Sequence, residues 1–172
     1  MVTSVRASDG SLRLIVWDVS PSGDFTRLGD SGHQPGEATR IRAVIDNYGH
    51  VVTSLQDSDG NLKLITWEIS TDGKVITRLA DSDQQAGKIG DNALMSLPPR
   101  VISAVQTTEG YLKLIAWEVT PSGRITCDGD SDNLAGTASL ITLCQESLGG
   151  IALIVTAVRT GSGNLQLITW SI

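Results

Sequence analysis

Histidine, cysteine and methionine occur twice each in 172 residues, tyrosine twice and phenylalanine once. These shortages exclude a good deal. Cys127 and Cys144 follow no metal-ligand spacing, and they read either as two free, partly buried thiols or as one disulfide. His33 and His50 read as solvated loop residues of different segments, without a recurring Ser, Cys or Asp partner. No nucleophile elbow, metal-binding His pair or phosphate loop is present. No catalytic residue, metal or cofactor is therefore expected. Positive charge is also scarce: 13 Lys and Arg against 19 Asp and Glu give a net charge of -6. A nucleic-acid surface needs clustered Lys and Arg, and here they are dispersed. No apolar run approaches the about 18 residues that a membrane span requires. Met1 leads straight into "VTSVR", with neither a basic n-region nor an apolar h-region, so a cytoplasmic location is the default expectation. Nucleic acid and membrane are not expected partners.

What the chain does contain is repetition. "DGSLRLIVWDVS" from Asp9 returns as "DGNLKLITWEIS" from Asp59, "EGYLKLIAWEVT" from Glu109 and "SGNLQLITWSI" from Ser162. All four tryptophans, Trp17, Trp67, Trp117 and Trp170, occupy the same place in the phrase. A second phrase follows three times, as "FTRLGDSG", "ITRLADSD" and "ITCDGDSD". A fixed period of this size marks a solenoid, a propeller or an array. The units run approximately over 1–49, 50–99 and 100–150, with a half-unit over 151–172, and the whole is expected to form one domain. The longer last spacing is placed at "ESLGG", read as a loop.

Each unit divides into four short apolar segments separated by Asp-Gly, Ser-Gly, Ala-Gly or Pro-Pro, which are turn signals. The segments favour Val, Ile, Leu, Thr and Trp and are too short for a good helix. They read as antiparallel strands. Side chains alternate between the faces of a strand, so Leu62, Leu64 and Thr66 share one face while Ile65, Trp67 and Ile69 share the other. Both faces are mainly apolar and both need covering, whereas a half-solvated sheet alternates cleanly between apolar and polar. Like sheets stacked on each side meet the requirement, as in the blades of a propeller. Trp17, Trp67, Trp117 and Trp170 are accordingly expected to pack between blades. The fold class is all-β: a propeller of four-stranded antiparallel blades, with a half-ring per chain.

The Asp-Gly hairpin followed by a strand ending in Trp17-Asp18, Trp67-Glu68 or Trp117-Glu118 resembles the repeat of WD-repeat-like β-propellers. Trp170-Ser171 departs from that dipeptide, the period is longer, and no Gly-His precedes the blades. The resemblance implies a non-enzymatic binding or interaction module whose ligand is protein or carbohydrate. Alternatives are a structural assembly module without a small ligand, or a glycan-active propeller enzyme.

If blades begin where WD-like blades do, about fourteen strands divide into a three-stranded blade, two full blades and another three-stranded one. Leftover edges invite a second chain, and a homodimer completing the ring is the expected partner arrangement. A seven-bladed dimer and a four-bladed monomer both remain open. The loops "GDSGHQPG", "ADSDQQAG" and "GDSDNLAG" recur on one face. They place Asp30, Asp81, Asp83, Asp130 and Asp132 there as candidate ligand-binding residues. Asp128, Asp130 and Asp132 alternate like the start of a calcium loop, but Asn133 stands where the turn glycine belongs. Asx-turn chemistry accounts better for the recurring Asp-Ser, because every blade needs a turn and not every blade needs a ligand. The tips at Asp9, Asp59 and Glu109 are expected on the same face, making it acidic.

Overall fold

The computed structural model describes residues 1–83, 85–133, 135–148 and 151–171, and every regular element among them is a strand. Four antiparallel sheets follow one another along the chain. Sheet 1 holds β1 (Val2–Arg6), β2 (Ser11–Val19) and β3 (Phe25–Asp30), with the short β4 (Gln34–Glu37) beside the start of β2. Sheet 2 runs β5 (Thr39–Ile45), β6 (Val51–Gln56), β7 (Leu62–Ile69) and β8 (Ile76–Asp81). Sheet 3 runs β9 (Ile89–Leu97), β10 (Arg100–Thr107), β11 (Leu112–Val119) and β12 (Ile125–Asp130). Sheet 4 is β13 (Ala138–Leu148), β14 (Ile151–Thr160) and β15 (Leu165–Ser171).

Neighbouring sheets meet most closely along β5, β9 and β13, which lie against one another in that order, with β1 beside β5. These strands form the inner edge of an arc. Sheet 1 starts at the second strand of the pattern and sheet 4 stops at the third. The expected division into three, four, four and three strands is therefore what forms, and the fifteenth strand is the short β4. The last apolar segment of each repeat unit crosses over to begin the next sheet. Backbone bonds pin the crossing: Leu62 N–H to Gly87 O at 2.9 Å and Ile89 N–H to Gly60 O at 2.9 Å, repeated by Leu112 to Gly136 at 2.9 Å and Ala138 to Gly110 at 2.8 Å. Gly10, Gly60 and Gly110 turn the hairpins with φ near +86° to +89°, a region in which glycine meets no Cβ penalty.

Each core lies between two sheets. Leu12 and Leu14 of sheet 1 pack with Ile65 and Trp67 of sheet 2. Leu62 and Leu64 pack with Ile115 and Trp117. Leu112 and Leu114 pack with Ile154 and Trp170. The indoles of Trp67, Trp117 and Trp170 thus face the preceding sheet, and the Leu-x-Leu pairs of sheets 1 to 3 face the following one. Trp67 and Trp117 are fully buried, while Trp17 and Trp170 are half-buried. A buried indole N–H needs an acceptor. Trp17 donates to Thr3 Oγ1 at 2.9 Å, Trp67 to Thr53 at 2.9 Å, Trp117 to Ser103 Oγ at 2.9 Å and Trp170 to Thr156 at 3.1 Å. The "VTS", "ISA" and "VTA" phrases supply that hydroxyl.

Three local expectations change. His50 is buried, because Asp46 accepts its backbone N–H at 2.8 Å and lies 3.0 Å from its Nδ1. Cys127 and Cys144 are free, and Cys144 is exposed rather than partly buried. At "ESLGG", β13 continues to Leu148, while Gly149 and Gly150 lie outside the described residues. The arc is open: Phe25 on sheet 1 is 59% exposed, and Leu165 and Leu167 on sheet 4 are 77% and 65% exposed. A propeller of antiparallel blades, present as an open arc, is therefore the architecture.

Candidate functional site

The second-to-third-strand hairpins and the loops that leave the outer strands lie at the same end of the sheets. Asp9 on a hairpin tip and His33 in the following loop meet there, with Oδ2 2.6 Å from Nδ1. Ser11 Oγ donates to Asp9 Oδ1 at 2.7 Å and lies 3.3 Å from the same Nδ1. A nucleophilic triad needs Ser and Asp on opposite ring nitrogens, so this cluster fastens a loop to a hairpin. Hydrogen bonds from the Ser11 hydroxyl and N–H, then from His33, hold the Asp9 carboxyl far below the usual carboxylate range.

Asp30, Asp81 and Asp130 end β3, β8 and β12 in equivalent positions. Each accepts the N–H two residues on: Gly32 to Asp30 at 2.7 Å, Asp83 to Asp81 at 2.9 Å and Asp132 to Asp130 at 2.9 Å. Each also faces the cation in the middle of its Trp strand. Arg13 lies 2.8 Å from Asp30, Lys63 3.4 Å from Asp81 and Lys113 2.7 Å from Asp130. Arg27 and Arg78 add second partners to Asp30 and Asp81. Burial disfavours the charged forms of Asp81 and Asp130. The Asp83 N–H and Lys63 outweigh it at Asp81, and Lys113 with the Asp132 N–H outweigh it at Asp130, so both carboxyls stay below their usual range. Asp83 and Asp132 take positive φ values of 50° and 51° and serve the turns through their backbones.

The third loop differs from the other two. Position 128 is Asp where the first two units carry Leu28 and Leu79. Leu28 and Leu79 meet the next sheet's hairpin at Gly73 and Gly123: a Cβ on Gly73 would lie 2.7 Å from Leu28 Cδ1, and one on Gly123 2.4 Å from Leu79 Cδ1. Asp128 pairs with Arg100 instead, at 2.6 Å. A groove of about 490 Å³ opens here between sheets 3 and 4, lined by Arg100, Asp128, Asp130, Ser131 and Trp170 among others. Of the predicted loop-face residues it takes only Asp130. Asp30 and Asp81 belong to other sheets, and Asp128 and Asp130 turn to Arg100 and Lys113 respectively rather than toward a shared centre. Among the described residues no group of three acidic, His or Cys side chains could hold a metal ion. The departure of position 128 from the leucine of the other units was the sequence signal for this groove. Arg100 and Trp170 are distant from it in sequence and are brought to it by the fold.

A second polar hollow of about 330 Å³ lies by Asp9, His33, Gln34 and Glu37. On the inner edge, Asp91 Oδ1 lies 3.5 Å from Arg40 and 3.9 Å from Arg42, and Oδ2 accepts the Ile141 N–H at 3.3 Å. That carboxylate ties β5, β9 and β13 together.

No family model matches the chain, and no curated protein matches it in sequence. Solved structures do match in fold. An exo-beta-1,3-galactanase from Phanerochaete chrysosporium with beta-1,3-galactotriose gives a TM-score of 0.53 at 10% identity, over 99% of this chain and 46% of that one. The same galactanase with galactose gives 0.51 at 10% identity, over 96% and 44%. An exo-beta-1,3-galactanase from Clostridium thermocellum gives 0.49 at 13% identity, over 99% and 45%. The chain spans less than half the length of these galactanases. At such identity the likeness concerns the fold, an all-β propeller.

Proposed function

We propose that the chain is a non-catalytic propeller module that binds a carbohydrate in the groove between sheets 3 and 4. The observation carrying this reading is the juxtaposition of the half-buried Trp170 of sheet 4 with Arg100, Asp128, Asp130 and Ser131 of sheet 3 around one groove. Sugars present apolar C–H faces that stack on an indole and hydroxyls that bond to carboxylates and guanidinium. Small-ligand sites generally combine apolar surface with a few placed polar groups in this way. The resemblance to WD-like propellers rests on the Trp-Asp or Trp-Glu strand ends and the Asp-Gly hairpins, and it fits a binding role.

A glycan-active enzyme is the second reading, favoured by the galactanases that share the fold. Hydrolysis by paired carboxyls needs one of them held protonated near neutrality, through a raised pKa. Here Asp128 is paired with Arg100, and the Asp130 carboxyl is shifted downward. Binding therefore takes precedence.

The test is a neutral-glycan array followed by calorimetry with beta-1,3-galactotriose as one probe, on the unmodified chain and on Trp170→Ala and Asp130→Asn. Saturable binding lost in both variants is expected. Absence of binding across the array would overturn the proposal, and release of reducing sugar from any probe would replace it with the enzymatic reading.

A further inference from the structure

The two ends of the arc are the two halves of one junction. At all three internal junctions the Leu-x-Leu pair of one sheet is covered by the Trp face of the next: Leu12 and Leu14 by the Trp67 face, Leu62 and Leu64 by the Trp117 face, Leu112 and Leu114 by the Trp170 face. Those six leucines are nearly or completely buried. Their counterparts on sheet 4, Leu165 and Leu167, are strongly exposed. On sheet 1 the opposite half is bare. Phe25, Val5 and Val19 are exposed, although their counterparts Ile125, Val105 and Val119 are buried in the core around Trp117. Trp17, half-buried, sits among them.

The connecting hairpins repeat the pattern. Gly73 and Gly123 press on the preceding sheet, whereas a Cβ at their counterpart Gly23 would meet nothing within 4 Å. Thr66, fully buried, donates to Gly123 O across its junction. Its counterpart Thr169, on the face with Leu165 and Leu167, is exposed.

We infer that the occupant of each face is a second copy of this chain, with the Trp17 face of one copy seated on the Leu165–Leu167 face of the other. The argument is continuity: the Leu-x-Leu face of sheet 4 and the Trp face of sheet 1 carry the kinds of side chain that already meet at three junctions within the chain, on the strands that the two end sheets share with the others. The contact is heterologous, head to tail. Two copies related by a two-fold axis make it twice and leave neither of these two faces uncovered, so the assembly closes instead of growing into a fibre. A contact of Trp face on Trp face would be isologous and would leave both leucine faces in water. The groove at Trp170 lies on the other side of sheet 4, so this inference stands independently of carbohydrate binding.

The test uses light scattering on the 172-residue chain and on two variants at exposed positions, Leu167→Glu and Phe25→Glu, with circular dichroism to show that each variant stays folded. The unmodified chain is expected at twice its 18.2 kDa, and each variant alone at the single-chain mass. Mixing the two variants restores one intact junction, from the Phe25 face of the Leu167→Glu chain and the Leu167 face of the Phe25→Glu chain. Native mass spectrometry is then expected to show a one-to-one heterodimer. An unmodified chain at 18.2 kDa, a Leu167→Glu variant that still dimerises by itself, or a mixture without heterodimer would each overturn the inference.

Discussion

The Trp117 indole donates to Ser103 Oγ at 2.9 Å from the neighbouring strand, and the same pairing recurs with Thr3, Thr53 and Thr156 in the other sheets. The bond lets a large apolar ring enter a dry interface without stranding its N–H. One hydroxyl on β10 thus allows β11 to bury its tryptophan completely against sheet 2.

Truncation should follow that burial. Trp117→Ala is expected to destabilise by about 3–5 kcal/mol, the usual range for losing a buried aromatic. Ser103→Ala leaves the indole N–H unpaired and should cost about 1–3 kcal/mol. Trp170→Ala should cost less than Trp117→Ala, because Trp170 is only half-buried. Urea unfolding of the three variants checks the order.

Two glycines with similar backbone geometry should respond differently to substitution. Gly110 has φ +89° and open space around it, while Gly123 has φ +81° and faces Leu79. Both pay for a left-handed backbone, at about 1–2 kcal/mol. Gly123→Ala must in addition displace Leu79, an overpacking cost of about 1–3 kcal/mol. A larger fall in melting temperature for Gly123→Ala than for Gly110→Ala is the expected result.

Acid should loosen the outer loops first. The carboxyls of Asp81 and Asp130 lie below their ordinary value of 3.8 in the folded chain. A depressed folded-state pKa contributes stability that is fully present above the unfolded value and is lost as pH falls through the folded one. The melting temperature is therefore expected to decline below pH about 4. Asp130→Asn should be less stable than the parent at neutral pH and should show a shallower acid decline. Calorimetric scans across the acid range measure both.

Asp128 offers a test of chemistry against stability. Its pair with Arg100 is well exposed on both sides, and exposed ion pairs contribute about 0–1 kcal/mol. Asp128→Leu, which restores the residue type of positions 28 and 79, should leave the unfolding midpoint nearly unchanged. Carbohydrate affinity measured by calorimetry should fall at least tenfold, corresponding to about 1.4 kcal/mol.

The strand pattern, the blades and the in-phase tryptophans follow from the sequence alone. Alternation along a strand and turn residues at fixed offsets are local constraints, and a fourfold repeat makes them unambiguous. Leu62 and Trp67 lie on opposite faces, and both faces being apolar already required a neighbour on each side. What only the tertiary structure decided is which group meets which. Arg100 and Asp128 are 28 residues apart in sequence, and Trp170 comes from another unit, so their shared groove exists only once sheets 3 and 4 are stacked. The carboxylates at 30, 81 and 130 looked alike as a repeated motif, yet packing gave one of them a groove because position 128 and the strands of sheet 4 differ around it. Open ends are likewise a tertiary property: local pattern specifies a leucine face, but only the sheet count determines whether anything covers it.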